Sequence, residues 1–168
     1  MPRFSNDAST RRQILAGGGL GIAVATARAG AQPAKSITPA KAIHQEEEFK
    51  CAARRIYEAL LDSAQFSAFS GGRAAQIHRE AGAAFSLFAG RIVGRNLELV
   101  ADRLIVQAWR SLSWPEGIYS IARFELLQQG SATRLIFDHT GFPVEDADSL
   151  ESGWTQNYWK PLHKYLLG

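Results

Sequence analysis

Ile118-Tyr119-Ser120-Ile121-Ala122-Arg123-Phe124-Glu125-Leu126-Leu127, then Gln128-Gln129-Gly130-Ser131, then Thr133-Arg134-Leu135-Ile136-Phe137-Asp138-His139-Thr140 is the stretch that decides the fold. Ile118, Ser120, Ala122, Phe124 and Leu126 make an apolar stripe of period two, with Arg123 and Glu125 facing away. Gln128 to Ser131 is turn chemistry, and the partner run repeats the alternation. Leu135, Phe137 and His139 fall on one face, Arg134 and Asp138 on the other. Two long strands of this kind, joined by a tight turn, form an antiparallel hairpin with one face buried.

Phe142-Pro143 ends the sheet, and the period then changes. Between Glu145 and Leu167, Leu150, Trp154, Tyr158, Leu162 and Leu166 recur at i+4, which predicts a long terminal helix. Glu145, Asp146, Asp148 and Glu151 sit near its start and His163 and Lys164 near its end, as the helix dipole favours. Pro161 lies inside it and predicts a kink near Asn157-Tyr158.

Upstream, Ala42 to Cys51 reads as a first strand, with Ile43, Gln45 and Glu47 alternating against His44, Glu46 and Glu48, and the run Glu46-Glu47-Glu48 reads as a solvated face. Ala52 to Leu61 is a short helix, and Ser63 opens a second over Ala64 to Phe69, ended by Gly71-Gly72. Further strands follow. Phe85, Leu87 and Ala89 alternate with Ala84, Ser86 and Phe88, Gly90 turns the chain into Arg91–Val100, and Leu104–Ser111 comes next. Trp114-Pro115-Glu116-Gly117 reads as a loop, and the phase of the strand around Trp109 is not set by the pattern.

The 168 residues suit one ordinary domain with a core. A composition of 46% hydrophobic and 21% charged residues excludes disorder and a membrane bundle, and a single cysteine excludes an internal disulfide framework. The net charge of +3 suggests nucleic acid until the charges are located. Residues 1–31 hold Arg3, Arg11, Arg12 and Arg28 against Asp7, so 15 basic and 15 acidic residues remain for the rest. A neutral domain removes the main argument for nucleic-acid binding.

That leader has a form of its own. Arg11-Arg12 precedes a Gly- and Ala-rich stretch from Ile14 to Ala27 without a charge. It falls short of the ~20 apolar residues of a membrane span, so no stable membrane insertion is expected. Basic residues, a mild apolar run and small residues around Ala29 and Ala31 describe a cleavable export signal. It resembles the twin-arginine class, with Ile14 in place of the usual Phe and Ala16 in place of the usual Lys. The organisation expected is an export signal over 1–31, a linker with Pro33 and Pro39 over 32–42, and a domain over 43–168. The destination expected is the periplasm or beyond, reached through the twin-arginine machinery. The cytoplasm is the alternative if the leader is not functional.

The most specific local pattern is Gly130-x-x-Thr133-Arg134-Leu135, then His139-Thr140-Gly141-Phe142-Pro143, then Gly153-Trp154. With Arg55 to Asp62, Gly94 to Val100, Leu104 to Arg110 and Tyr158-Trp159, it resembles the helix-grip (SRPBCC) superfamily of START and birch-pollen-allergen relatives. Within that superfamily it is most similar to the branch named after the activator of Hsp90 ATPase homologue 1. Ala52 stands where such domains often carry Pro. The resemblance implies an α+β fold, a curved antiparallel sheet of six or seven strands wrapped around the terminal helix, with two short helices after the first strand. It also implies an apolar cavity between sheet and helix.

Residues with chemistry are few. His44, His78, His139 and His163 show no ligand spacing, so no metal or other cofactor is expected. No glycine-rich phosphate loop is present, Cys51 reads as a buried inert thiol, and no catalytic set is assigned. His139 admits two readings: a polar handle or general base in a cavity, or a core histidine bonded to a backbone carbonyl or a helix side chain. Phe85, Phe88, Trp109, Phe124, Phe137, Trp154 and Tyr158 are the expected apolar lining, with His139 as the polar member. The function expected is an exported carrier of a small hydrophobic or lipid-like ligand. A cyclase- or hydrolase-like enzyme using the same cavity, and an Hsp90 co-chaperone, are the alternatives.

Overall fold

The computed structural model describes residues 41–167. The leader with Arg11 and Arg12, its cleavage positions and nearly all of the linker lie outside the described residues.

Seven strands form one antiparallel sheet: β1 (Ile43–Phe49), β2 (Gln76–Ile77), β3 (Ala84–Leu87), β4 (Ile92–Val100), β5 (Leu104–Ser111), β6 (Ser120–Gln129) and β7 (Ala132–Thr140). Their order across the sheet is β1-β7-β6-β5-β4-β3-β2. Helices α1 (Ala53–Leu61) and α2 (Ser63–Phe69) follow β1. The chain ends in α3 (Ala147–Trp154), a π turn (Thr155–Trp159) and α4 (Lys160–Leu167). This is the helix-grip architecture that the resemblance implies, and its long elements are those that the alternation and the terminal i+4 repeat predict.

The hairpin β6–β7 has the register expected of it, with Phe124 opposite Phe137 and Ala122 opposite His139. Ser120, Ala122, Phe124, Leu126, Thr133, Leu135, Phe137 and His139 are all buried. The motif residues around them carry structural work. Gly130 and Gly141 take positive φ at the two turns. Thr133 donates its hydroxyl to the Cys51 carbonyl at 2.8 Å, Arg134 pairs with Glu46 outside, and Phe142 packs on His139. Ala52 offers no side-chain cap to α1. Instead Gln128 reaches across and accepts the Ala53 N–H at 2.7 Å.

Four readings change. Glu47 does not join Glu46 and Glu48 on a solvated face: strand alternation turns it inward beside Gln45. There it binds His163 at 2.9 Å, while Gln45 accepts the Trp159 indole N–H at 2.6 Å and donates to the Glu151 carbonyl. The edge strand thus grips the terminal helix through polar groups. The cap of α2 is Asp62, not Ser63, accepting from the Ala64 and Gln65 N–H groups. Trp114 lies in the loop expected of it and is buried there, with its indole N–H on Asp146 at 2.5 Å. The two-residue strand β2 was not foreseen, since Gln76-Ile77 is too short to show a period.

The fourth concerns the helix. Steps of four residues drift about 40° each around an ideal helix, so Leu166 would end about 160° from Leu150. The wider π turn absorbs that drift, and Trp154, Tyr158, Trp159, Leu162 and Leu166 are all buried. It occupies the place of the expected Pro161 kink. The Lys160 N–H bonds the Thr155 carbonyl five residues back, which loosens the backbone where the proline ring would crowd Asn157.

Candidate functional site

Between the terminal helix and one end of the sheet lies an open cleft of about 570 Å³. Its walls come from four segments: Arg73 after α2, the β3–β4 turn, the end of β5 with the loop after it, and the helical stretch from Asp146 to Tyr158. The turn is an unusual one. Phe88 and Ala89 take φ of 54° and 56° ahead of Gly90, a conformation that non-glycine residues adopt at a cost. Strict alternation would point Phe88 away from Phe85 and Leu87. The left-handed step returns its ring to the inside, edge-on to Phe66 and Tyr158 at 5.2 and 5.3 Å.

The expected lining divides in two. Phe88, Trp109, Trp154 and Tyr158 wall the cleft. Phe85, Phe124, Phe137 and His139 do not reach it and belong to the packed core. Phe137 lies between Phe124 at 5.0 Å and Trp154 at 4.2 Å, and this stack fills the space where the cavity would have run on between sheet and helix. Phe85 lies over Gly94, whose missing side chain leaves room for the ring.

His139 is the core histidine of the second reading. It is fully buried. The Trp154 indole can only donate, and it lies 3.0 Å from Nδ1, so Nδ1 is the acceptor and the proton sits on Nε2. Nε2–H donates to Ser120 Oγ at 2.7 Å, and Ser120 donates to the Trp109 carbonyl at 2.9 Å. Every polar atom of this chain is satisfied. Burial pushes the His139 pKa down to about 3, so the ring is neutral at physiological pH, and its one lone pair is occupied. The phase around Trp109 is also settled. Ile105, Gln107 and Trp109 point inward and Arg110 outward, so neither Arg110 nor Glu98 faces His139.

The floor of the cleft is different. Trp109 Nε1 and Tyr158 Oη are buried without a hydrogen-bond partner among the described residues. Burial raises the tyrosine pKa, while the nearby Trp109 N–H and the Arg73 guanidinium pull it the other way. Arg73 is held in place by three contacts. Its Nε donates to the Ser70 carbonyl at 2.7 Å, its terminal nitrogens reach Asn157 Oδ1 at 3.5 Å, and its charge lies 4.6 Å from the centre of the Phe88 ring. Among the described residues no cluster of His, Cys, Asp or Glu is arranged to hold a metal.

Sequence reasoning missed Arg73, Arg91, Asp146 and Asn157 as wall residues, because none lies in a periodic run that points to the cleft. Gly153 did carry a signal: a glycine inside a helix. It lines the cleft, and a Cβ built on it would meet nothing nearer than Asn157 Nδ2 at 3.9 Å. Packing does not demand glycine there, although glycine costs a helix about 0.5–1 kcal/mol relative to alanine. Gly153→Ala is therefore expected to raise stability by up to about 1 kcal/mol, read as a higher denaturant midpoint with an unchanged slope.

A family model described as activator of Hsp90 ATPase homolog 1-like protein matches residues 50–167. The chain belongs to that family. Among its curated relatives are a Schizosaccharomyces pombe protein described as uncharacterized, 33% identical over 71% of this chain and 35% of its own length, and the Dictyostelium discoideum activator of 90 kDa heat shock protein ATPase homolog, 30% identical over 74% and 32%. The chain thus spans about a third of the length of the curated relatives it matches. The crystal structure of an HSP90 activator from Plasmodium falciparum superposes with a TM-score of 0.72 at 26% identity, covering 74% of this chain and 95% of that one. As a member of the Hsp90-activator-like family, the chain has Thr133, His139 and Trp154, the residues that carried the resemblance, holding the fold together; of these only Trp154 also faces the cleft.

Proposed function

We propose that this protein binds a small, largely apolar molecule in the cleft beside Gly153, and that it does so outside the cytoplasm after export through its twin-arginine-like leader. The observation that carries the binding reading is a cleft of about 570 Å³, floored by Phe88, Trp109, Trp154 and Tyr158 and kept open by a helix glycine that packing does not require. This is the size and chemistry of a small-molecule site. Binding is favoured over the cyclase- or hydrolase-like alternative because the neutral His139 has its lone pair committed to Trp154, and Asp146 has an oxygen committed to Trp114.

Native mass spectrometry of protein purified from its own compartment is expected to reveal a co-purified small molecule. Gly153→Leu, which projects a side chain into the cleft, is expected to remove it while leaving the fold intact. A clean apo mass together with no binding of hydrophobic probes overturns the carrier reading. For export, replacing Arg11 and Arg12 together by Lys is expected to hold the protein in the cytoplasm. Retained export in that double variant overturns the twin-arginine assignment.

Family membership supports a second reading, a co-chaperone that docks on Hsp90, consistent with the HSP90 activator among the structural relatives. An exported chain would not meet cytoplasmic Hsp90, so fractionation separates the two. Stimulation of Hsp90 ATPase activity by the purified domain, unaffected by Gly153→Leu, would favour the co-chaperone.

A further inference from the structure

We infer that the cleft is built for an anionic amphiphile, an aromatic or branched apolar body carrying a single carboxylate- or sulfonate-type head, rather than for a neutral hydrocarbon or lipid. The inference deepens the binding reading above and rests on it.

The charges of the cleft wall are unbalanced. Arg73 and Arg91 both line it, and neither has a carboxylate partner among the described residues. The one acid on the wall, Asp146, accepts the Trp114 indole N–H and keeps its charge, so two cations face one anion. Arg73 is half-buried and fixed between the Ser70 carbonyl, the Phe88 ring and the neutral amide of Asn157, whose contacts stand at the 3.5 Å limit. A guanidinium held in this way, with only neutral partners, is a preorganised anion receptor: its side-chain entropy is already spent, and its charge is uncompensated.

The floor adds two buried groups able to donate. Trp109 offers an N–H and Tyr158 an O–H, close to one another and neither in a well-formed hydrogen bond among the described residues. Both groups favour an electron-rich atom over a hydrocarbon end. The wall thus sets two arginines beside an aromatic floor with donors to spare, and the complementary molecule is flat or branched, apolar over most of its surface, and negative at one point.

A matched pair of fluorescent probes tests this directly. 1-Anilinonaphthalene-8-sulfonate and N-phenyl-1-naphthylamine share one hydrocarbon body and differ only in the sulfonate. At low ionic strength the anionic probe is expected to bind about tenfold tighter than the neutral one. Arg73→Gln is expected to erase most of that difference while leaving the neutral probe within about twofold, and added salt should act in the same direction. Arg91→Gln, at an exposed position, gives a second measure of the charge effect should Arg73→Gln fail to fold. Gly153→Leu should exclude both probes. Equal binding of the two probes, or an anion preference that survives both arginine substitutions, overturns the charge inference and leaves an apolar cleft standing. Failure of both probes to bind, or binding that Gly153→Leu does not affect, overturns the cleft itself.

Discussion

A Gly94→Ala variant is expected to lose on the order of 3 kcal/mol of stability or more, enough to send much of the expressed protein into the insoluble fraction. Gly94 sits in β4, opposite Phe85 on one side and Trp109 on the other. A Cβ there would lie 2.1 Å from the Ala108 carbonyl oxygen and 2.4 Å from Phe85 Cζ. The ring could swing away, but the carbonyl is main chain inside a hydrogen-bonded ladder, so relief requires moving β4 off β5. Denaturant melts of whatever soluble fraction remains would read the loss directly. A variant as stable as the parent would mean the strands shift apart at no cost, and the close approach at Gly94 would then hold nothing together.

The second large effect is that of acid. His139 is neutral in the fold, with its pKa pushed down to about 3, and has an ordinary value near 6.5 in the unfolded chain. A base whose folded pKa is depressed stabilises fully above its unfolded pKa, and that stability is lost as pH falls toward the folded value. In the window from pH 7.5 to 5 the unfolded state takes up a proton that the native state refuses. The expected loss is about 2 kcal/mol by pH 5 and roughly 4 kcal/mol by pH 3.

Among the described residues no charged group offsets it. His139 is surrounded by the rings of Trp109, Phe137, Phe142 and Trp154 and by the Ser120 hydroxyl, and protonated Nδ1 would confront the Trp154 donor. The exposed His44 works with opposite sign, because the hydrogen bond with Asp138 raises its pKa, so a His44→Asn background isolates the effect. In that background, urea midpoints at pH 7.5 and 5 should differ strongly for the parent and little for His139→Gln, which starts from lower stability. Equal slopes with pH in the two proteins would show that His139 does not set the acid limit.

How far the sequence could be read follows from what periodicity encodes. The hairpin β6–β7 was legible almost residue by residue, because strong alternation over ten and nine residues leaves one choice of face. The inward turn of Glu47 followed the same rule, but a run of three glutamates looked like solvent, and only the facing His163 explains it. Phe88 broke the rule outright. Its left-handed φ moved it to the face that alternation denied it, and a four-residue turn carries no period to warn of this. Arg73 gave no sign in the sequence, since its place in the cleft depends on how the segment after α2 lies against the helix.

Alternation and i+4 recurrence by themselves determined the terminal helix, the strands long enough to repeat, and the inward side of Phe124, Phe137, Trp154 and Tyr158, because each is a property of one element turning about its own axis. The motifs of the hairpin and helix added the family resemblance that implied the fold class. The tertiary structure decided depth. Phe124, Phe137 and His139 share the inward side with Trp109, yet they lie under packed rings while Trp109 faces open space. That difference arises from where the sheet closes on the helix and where it stays apart. Closure depends on elements distant in sequence meeting, and no local period records it.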